Sequence, residues 1–169
     1  MKNTYSLWLK PTGSIYQELA KIIEDLSDKY SAPIFEPHVT LIGGLTDSEN
    51  NIIKKILRLG NSIKPIKIKL TKIGYLNEYY RCIFLIAEET KSLMNANLKA
   101  REIFGRMYDT KFLPHLSLLY GNFDSKSKEE IKKSLRDEFD TEFEARDIHL
   151  VFTGNKPKDW YEIKRFLLK

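Results

Sequence analysis

The chain repeats part of itself, and this repeat constrains its fold more than any other feature of its 169 residues. Residues 35–44 (FEPHVTLIGG) align without gaps on residues 112–121 (FLPHLSLLYG), so that His38 and His115 lie 77 residues apart. Both copies contain a Phe, a Pro-His pair, a hydroxyl residue two positions after the histidine and a closing Gly. Both also alternate as a strand does, and similar elements surround them. The repeat predicts two similar lobes about an approximate two-fold axis, with the motif strands facing each other across a groove.

Hydrophobic periodicity around the two motifs predicts strands that alternate with helices. The predicted strands cover residues 5–9, 35–42, 65–75, 81–87, 112–120, 143–153 and 160–168. The predicted helices run from Ser14 to about Tyr30, from a capping box at Thr46 and Glu49 to Gly60, from about Thr90 to Met107 and from about Ser125 to Asp137. Neither a linker nor a low-complexity segment interrupts this order. We therefore expect one domain over residues 1–169, made of two interleaved lobes.

The polar residues of each motif share one face of its strand. Residues i and i+2 of a strand point to the same side, so His38 lies with Thr40 and His115 lies with Ser117. The aliphatic residues between them point to the opposite side, towards the helices. Each motif therefore presents to the groove an imidazole that titrates near neutral pH and a short hydroxyl donor.

This combination of groups suits displacement at phosphorus. The attacking and leaving oxygens lie in line on opposite sides of the phosphorus, so a base is needed on one side and an acid on the other. The hydroxyls can hydrogen bond the non-bridging oxygens and stabilise the charge that develops on them. We therefore predict a phosphodiesterase that opens a cyclic phosphate ester with His38 and His115 as its acid and base pair. His149, the third histidine, has neither the preceding Pro nor the hydroxyl and is expected to be structural.

Composition limits the other possibilities. Cys82 is the only cysteine, which excludes zinc sites built on two or more cysteines, and neither a metal nor a cofactor is expected. The apolar runs are too short to cross a bilayer, and the N-terminal segment lacks the pattern of a signal peptide, so a cytoplasmic location without a membrane partner is expected. We also expect a monomer. The net charge of +5 modestly favours anionic partners.

One segment is strongly basic. Between Lys54 and Lys72 the chain has no acidic residue and seven basic ones: Lys54, Lys55, Arg58, Lys64, Lys67, Lys69 and Lys72. A solvated face is the simpler interpretation, because strand alternation alone would turn Lys67 and Lys69 outward. A contact surface for RNA is the alternative.

The motifs His38-Val39-Thr40-Leu41 and His115-Leu116-Ser117-Leu118 resemble the paired signature of the 2H phosphoesterase superfamily, and the resemblance covers nearly the whole chain. Their flanks, together with residues 6–9 (SLWL), look most like the cyclic phosphodiesterases of plants and yeasts. The resemblance implies a bilobal α+β fold, with two pseudo-symmetric antiparallel sheets flanked by helices around a central groove. It also implies metal-independent hydrolysis of ADP-ribose 1'',2''-cyclic phosphate and nucleoside 2',3'-cyclic phosphates.

The same resemblance implies roles for individual residues. His115 is the favoured base and His38 the favoured acid, while Thr40 and Ser117 would hold the phosphate. Trp8 and Tyr120 match positions that contact substrate. Trp8 would stack on a base or ribose, with a core tryptophan as the alternative.

Tyr120 presents a geometric difficulty. Regular alternation would turn it away from His115, so a bulge near the end of the strand is needed to bring it to the groove.

Two alternatives stay open. One is the same chemistry on a larger substrate, by an RNA 2',3'-cyclic phosphodiesterase that acts on RNA ends. The other is a non-catalytic RNA-binding module that uses residues 54–72 as an electrostatic contact. The sequence also leaves open whether the loop over residues 73–81 closes over the groove.

Overall fold

The computed structural model describes residues 3–135 and 138–169. Within these residues the strands are β1 (Tyr5–Leu9), β2 (Val39–Leu45), β3 (Ile66–Gly74), β4 (Ile83–Ala87), β5 (His115–Leu119), β6 (Glu138–Ala145), β7 (Asp147–Phe152) and β8 (Tyr161–Leu167). The α-helices are α1 (Gly13–Tyr30), α2 (Glu49–Gly60), α3 (Lys91–Phe104) and α4 (Ser125–Ser134). The predicted alternation of strand and helix, and the α+β class, are confirmed.

The strands form one antiparallel sheet in the order β6-β3-β4-β5-β2-β1-β7-β8. Its two four-stranded halves meet between the motif strands β2 and β5, which pair only at Val39 and Leu116. The two sheets implied by the sequence are therefore two halves of a single sheet. Because β2 and β5 diverge after one pair, a groove opens between the halves while the sheet stays continuous.

The 77-residue offset extends well beyond the motifs. It carries β1, α1, β2, α2 and β3 onto β4, α3, β5, α4 and β7. The third strand of each repeat is exchanged, because β3 pairs with β4 of the second repeat and β7 pairs with β1 of the first. The halves of the sheet are therefore each built from both repeats.

The helices are exchanged in the same way. Helix α1 packs on β5, and α3 packs on β2, where Asn97 donates a hydrogen bond to the carbonyl of Leu41 at 2.8 Å. The aliphatic residues of both motifs are fully buried on this side: Val39, Leu41, Leu116 and Leu118. Their burial holds the polar residues of the motifs on the opposite, groove side of the sheet.

Several boundaries differ from the predictions. Strand β2 begins at Val39, four residues after the predicted start, because Pro37 has no N–H to pair. The predicted strand 143–153 is two strands, since at Arg146 the chain leaves β3 and crosses to β1 in the other half. Alternation continues on both sides of that crossing, so periodicity could not reveal it.

Two helix ends also differ. Helix α2 is capped by Ser48, which accepts a hydrogen bond from the N–H of Asn51 at 3.3 Å, and the predicted box at Thr46 and Glu49 is not used. Helix α4 ends at Ser134, and residues 136–137, within its predicted end, lie outside the described residues.

The basic segment between Lys54 and Lys72 follows α2 and β3. Three of its lysines form ion pairs: Lys55 with Asp47 at 2.8 Å, Lys67 with Glu142 at 3.8 Å and Lys69 with Asp140 at 3.2 Å. Acidic residues from elsewhere in the chain thus offset much of the charge that the sequence concentrates here. None of the helices in the described residues combines the length and hydropathy that a bilayer span requires.

Candidate active site

Both motifs open into one cavity of about 320 Å³ in the groove. It is lined by all six residues singled out in the sequence: Trp8, His38, Thr40, His115, Ser117 and Tyr120. Side chains from segments without motifs complete the wall: Ser6, Tyr80, Arg81, Thr153 and Trp160. The volume is within the range of about 300–1,000 Å³ typical of pockets for small ligands.

The pairing of Val39 with Leu116 sets the relation between the two motifs. One residue to either side, this register places His38 opposite Ser117 and Thr40 opposite His115. The two histidines therefore lie diagonally across the point from which β2 and β5 diverge. Both imidazoles and both motif hydroxyls line the same cavity, which is large enough to admit a phosphate.

Both histidines are oriented by the same backbone contact. His38 Nδ1 lies 2.7 Å from the carbonyl oxygen of Glu36, and His115 Nδ1 lies 2.7 Å from that of Leu113. A carbonyl can only accept, so each Nδ1 carries the proton and donates it. In the neutral ring Nε2 is then an unprotonated base, and it is the atom left to act on a substrate.

Burial keeps both imidazoles neutral in the free protein. His38 is 5% exposed, and its burial lowers its pKa to about 3, although the hydrogen bond to Glu36 opposes this shift. Burial also lowers the pKa of His115, which is less enclosed. A phosphate anion between the rings would favour their charged forms and raise both pKa values.

Trp8 is in the groove but differs from the expectation that it stacks on substrate. Its ring stacks on His38, with the centroids 3.6 Å apart and the planes at 11°, and the residue is only 3% exposed. The imidazole therefore covers the face that was expected to receive a base or ribose. Trp8 and the carbonyl of Glu36 together hold His38 in one orientation.

The second motif has a corresponding aromatic residue. Trp8 pairs with Thr40 across β1 and β2, and Phe84 pairs with Ser117 across β4 and β5. The Phe84 ring meets His115 edge-on, with centroids 5.1 Å apart at 63°. This looser contact matches the greater exposure of His115.

Tyr120 reaches the cavity next to an irregularity in strand pairing, where a bulge was expected from the sequence. The pairing of β4 with β5 shifts between Ile83 and Phe84, just before Tyr120 leaves the strand. Its ring stacks on Phe35 at 3.7 Å, and burial raises the pKa of its phenol, which therefore stays protonated. A phenolic donor consequently faces the groove beside Ser117.

The two motif hydroxyls are not equivalent in the free protein. Ser117 donates a hydrogen bond to the carbonyl of Tyr80 at 2.9 Å. For the hydroxyl of Thr40, no hydrogen-bond partner is found among residues 3–135 and 138–169. Thr40 is thus ready to donate, whereas Ser117 has to turn away from Tyr80 before it can.

His149 lies outside the cavity. It is on β7, and its Nδ1 is 2.8 Å from a carboxylate oxygen of Glu162, which also pairs with Lys10 at 3.1 Å. These partners give it the structural role expected from the sequence.

Some wall residues had only weak sequence signals. Ser6 shares the strand face of Trp8, and Trp160 is one of only two tryptophans. Tyr80 and Arg81 lie in an irregular loop, where no periodicity indicates an orientation.

The fold and the paired histidine motifs define a class of protein. Residues 1–165 match the model of the family described as cyclic phosphodiesterase-like protein, and the chain belongs to this family of 2H phosphoesterases. The resemblance found in the sequence is confirmed.

Two relatives match most of this chain. A cyclic phosphodiesterase of Arabidopsis thaliana is 25% identical over 127 residues, which are 75% of this chain and 70% of that protein. A 2',3'-cyclic-nucleotide 3'-phosphodiesterase of Kluyveromyces lactis is 28% identical over 184 aligned positions, covering 96% of this chain and 84% of the relative.

Solved structures share the fold. LigT of E. coli, in complex with NADP+, superposes with a TM-score of 0.71 at 14% identity and covers 99% of this chain and 98% of its own. The protein TT0787 of Thermus thermophilus superposes at 0.68 with 18% identity, over 98% and 97% of the two chains.

Proposed function

We propose that this protein is a metal-independent cyclic phosphodiesterase that hydrolyses ADP-ribose 1'',2''-cyclic phosphate and nucleoside 2',3'-cyclic phosphates. One observation carries the proposal: two histidines, each oriented through Nδ1 by a backbone carbonyl, line one cavity together with the two motif hydroxyls. The names of the plant and yeast relatives support the substrate class. The 3'-AMP bound in a structure of E. coli LigT is consistent with nucleotides in a groove of this fold.

The reaction is the attack of water on phosphorus. Nε2 of the base takes a proton from water while the water oxygen bonds to phosphorus. The bond between phosphorus and one ribose oxygen then breaks. The acid Nε2 gives its proton to that oxygen, so the product is a phosphomonoester with a free hydroxyl. The two histidines then exchange protons with solvent before the next turnover.

The order of protonation assigns the two roles within this proposal. The first proton of the substrate-bound pair goes to His115, because His38 is more deeply buried and its pKa is lowered further by the charge of His115. His115 is then the acid and His38 the base. This order is the reverse of the one favoured from the sequence, which had no information on relative burial.

The hydroxyl groups act on the non-bridging oxygens. Thr40 donates to one of them directly, and Ser117 donates after it turns from the carbonyl of Tyr80. The protonated Tyr120 adds a third neutral donor. Donors of this kind stabilise the negative charge that develops in the transition state.

The chemistry proposed here uses only groups of the protein. Among the described residues, no three His, Cys, Asp or Glu side chains are grouped so as to hold a metal ion. Activity should therefore persist in EDTA.

The test uses ADP-ribose 1'',2''-cyclic phosphate and the four nucleoside 2',3'-cyclic phosphates, each assayed in EDTA. His38→Ala and His115→Ala should each lower kcat by about 10²–10⁴-fold, the usual contribution of a well-placed acid or base. His149→Ala is the matched control, because it removes a buried histidine outside the cavity, and it should keep its activity. Wild-type protein that turns over none of these substrates, or activity that survives both substitutions, would contradict the proposal.

The two roles can be separated with catechol cyclic phosphate. Its phenolate leaves with little help from an acid, so a variant without the acid should lose less activity on it than on a nucleoside substrate. We expect this recovery in His115→Ala and not in His38→Ala. Recovery in His38→Ala alone would restore the opposite assignment.

A further inference from the structure

A second, smaller cavity of about 150 Å³ adjoins the active site. The two cavities share Thr40, Arg81 and His115 in their walls. Beyond these residues the smaller cavity is lined by Arg101 from α3 and by Lys111, which lies just before the second motif. Because the cavities adjoin, one substrate can occupy both, with its cyclic phosphate between the histidines and a second group in the smaller cavity.

The charges around this cavity are unevenly compensated. Asp109 also lines it, but its carboxylate pairs with Arg106 at 3.2 Å. Arg81 pairs with Glu78. Within the described part of the chain, neither Arg101 nor Lys111 pairs with a carboxylate.

Arg101 also has unused hydrogen-bonding capacity. Its Nη1 donates to the carbonyl of Asp109 at 2.8 Å, while its Nε is buried without a partner in the described structure. A buried donor without an acceptor is costly, and a guanidinium is suited to bind two oxygens of one phosphate. The cavity thus combines uncompensated positive charge with a donor that lacks an acceptor.

We propose that this cavity binds a second phosphate of the substrate: the one on the 5' oxygen of the ribose whose cyclic phosphate is opened. The inference rests on the proposed function and narrows its substrate class. The cavity is too small for a nucleoside, since pockets that enclose a whole small ligand measure roughly 300–1,000 Å³. A phosphate one ribose away from the reacting phosphorus fits both its size and its charge.

Two kinds of substrate carry such a phosphate. In ADP-ribose 1'',2''-cyclic phosphate it is the pyrophosphate on the same ribose, and at an RNA end it is the last internucleotide phosphate. Both present the same anionic group at the same ribose oxygen. A nucleoside 2',3'-cyclic phosphate lacks it and serves as the reference substrate.

The decisive comparison is between adenosine 2',3'-cyclic phosphate with and without a 5'-phosphate. In wild type the 5'-phosphate should raise kcat/KM about tenfold or more, as hydrogen bonds to a charged group allow. The gain should shrink as salt concentration rises, because the added contact is ionic. Arg101→Gln and Lys111→Gln should each reduce the gain severalfold, whereas the matched control Arg58→Gln, on the exposed side of α2, should retain it.

Lys111→Gln keeps the test informative if Arg101→Gln unfolds, because Lys111 is exposed. The two variants are then compared with wild type on ADP-ribose 1'',2''-cyclic phosphate and on a dinucleotide that ends in a 2',3'-cyclic phosphate. A fall in kcat/KM on either substrate supports the proposal and shows which source of the second phosphate the cavity accepts. A reference substrate that turns over without any gain from a 5'-phosphate, or a gain that survives in both variants, overturns this inference and leaves the proposed function standing. No turnover of the adenosine compounds, of ADP-ribose 1'',2''-cyclic phosphate or of the dinucleotide overturns both.

Discussion

His38 is held between two neighbours, the carbonyl of Glu36 and the ring of Trp8. In the proposed mechanism His38 is the base and has to present Nε2 in one direction, and both contacts restrict the rotation of its imidazole. His115 has the same backbone contact but only the edge of Phe84 beside it. The stack on Trp8 and the deeper burial of His38 therefore distinguish the two histidines.

Replacing Trp8 should test whether that stack matters for catalysis. Trp8→Leu leaves His38 without its ring contact and is expected to lower kcat about tenfold, with a smaller change in KM. Trp8→Phe keeps an aromatic face and should retain most of the activity. Because loss of a buried tryptophan also costs up to about 3–5 kcal/mol, unfolding has to be measured for both variants. Equal kcat values for the Leu and Phe variants would argue against a positioning role.

The buried His38 should also make the protein sensitive to acid. Burial lowers the pKa of His38 from 6.5 to about 3, so between these pH values the unfolded chain binds a proton that the folded protein does not. Stability therefore rises with pH across this window and is lost on acidification, by about 1 kcal/mol per pH unit well below 6.5. Urea unfolding of His38→Gln should show a shallower dependence on pH. Parallel curves for the two proteins across the window would contradict the burial argument.

At the scale of the elements, the loop from Tyr75 to Cys82 forms part of the wall of the groove. It carries Tyr80 and Arg81 into the active-site wall, and the Ser117 hydroxyl donates to the carbonyl of Tyr80. Lys128 of α4 holds its other side, donating to the carbonyl of Leu76 at 3.1 Å and to the side chain of Asn77 at 2.6 Å. This part of the loop over residues 73–81 therefore lies against the groove, where the side chains of Ser117 and Lys128 hydrogen bond to it.

Lys128→Met should loosen this loop. The substitution keeps an apolar stem in the buried site and removes both hydrogen bonds, each of which typically contributes about 0.5–1.5 kcal/mol. Amide hydrogen exchange should accelerate over residues 75–82, and KM should rise because Tyr80 and Arg81 lose their positions. Lys126→Met, an exposed lysine of the same helix, is the control. Unchanged exchange in the loop would show that Lys128 does not hold it.

The whole molecule is tied together by exchanged strands. Strands β3 and β7 each complete the half of the sheet that contains the other repeat, although among the described residues the backbones of the two halves pair only at Val39 and Leu116. Neither half can form from a continuous segment of one repeat alone. We therefore predict that the chain unfolds as the single domain expected from its sequence.

Urea unfolding followed by two probes tests this cooperativity. Fluorescence reports on Trp8 and Trp160, which both lie in the half built on β1 and β8, whereas far-UV circular dichroism reports on all helices and strands. Coincident transitions are expected for a two-state domain. A fluorescence transition that clearly precedes or follows the dichroism transition would show that the halves unfold separately.

The sequence by itself determined the repeat and the chemical groups at its centre. His38, Thr40, His115 and Ser117 could be identified because each pair lies within one short strand, where a period of two decides which side chains share a face. The same local rules predicted most strands and helices. They failed where a boundary depends on a partner strand, as at Arg146, because both sides of the crossing have the same alternation.

Only the tertiary structure decided what surrounds those groups. Tyr80, Arg81 and Trp160 come from segments outside the motifs, and no local pattern indicates that they meet at one groove. Relative burial likewise separates the pKa of His38 from that of His115, although the two motifs are nearly identical in sequence. Desolvation and stacking depend on neighbours brought in by the fold, whereas strand alternation is a property of the local backbone.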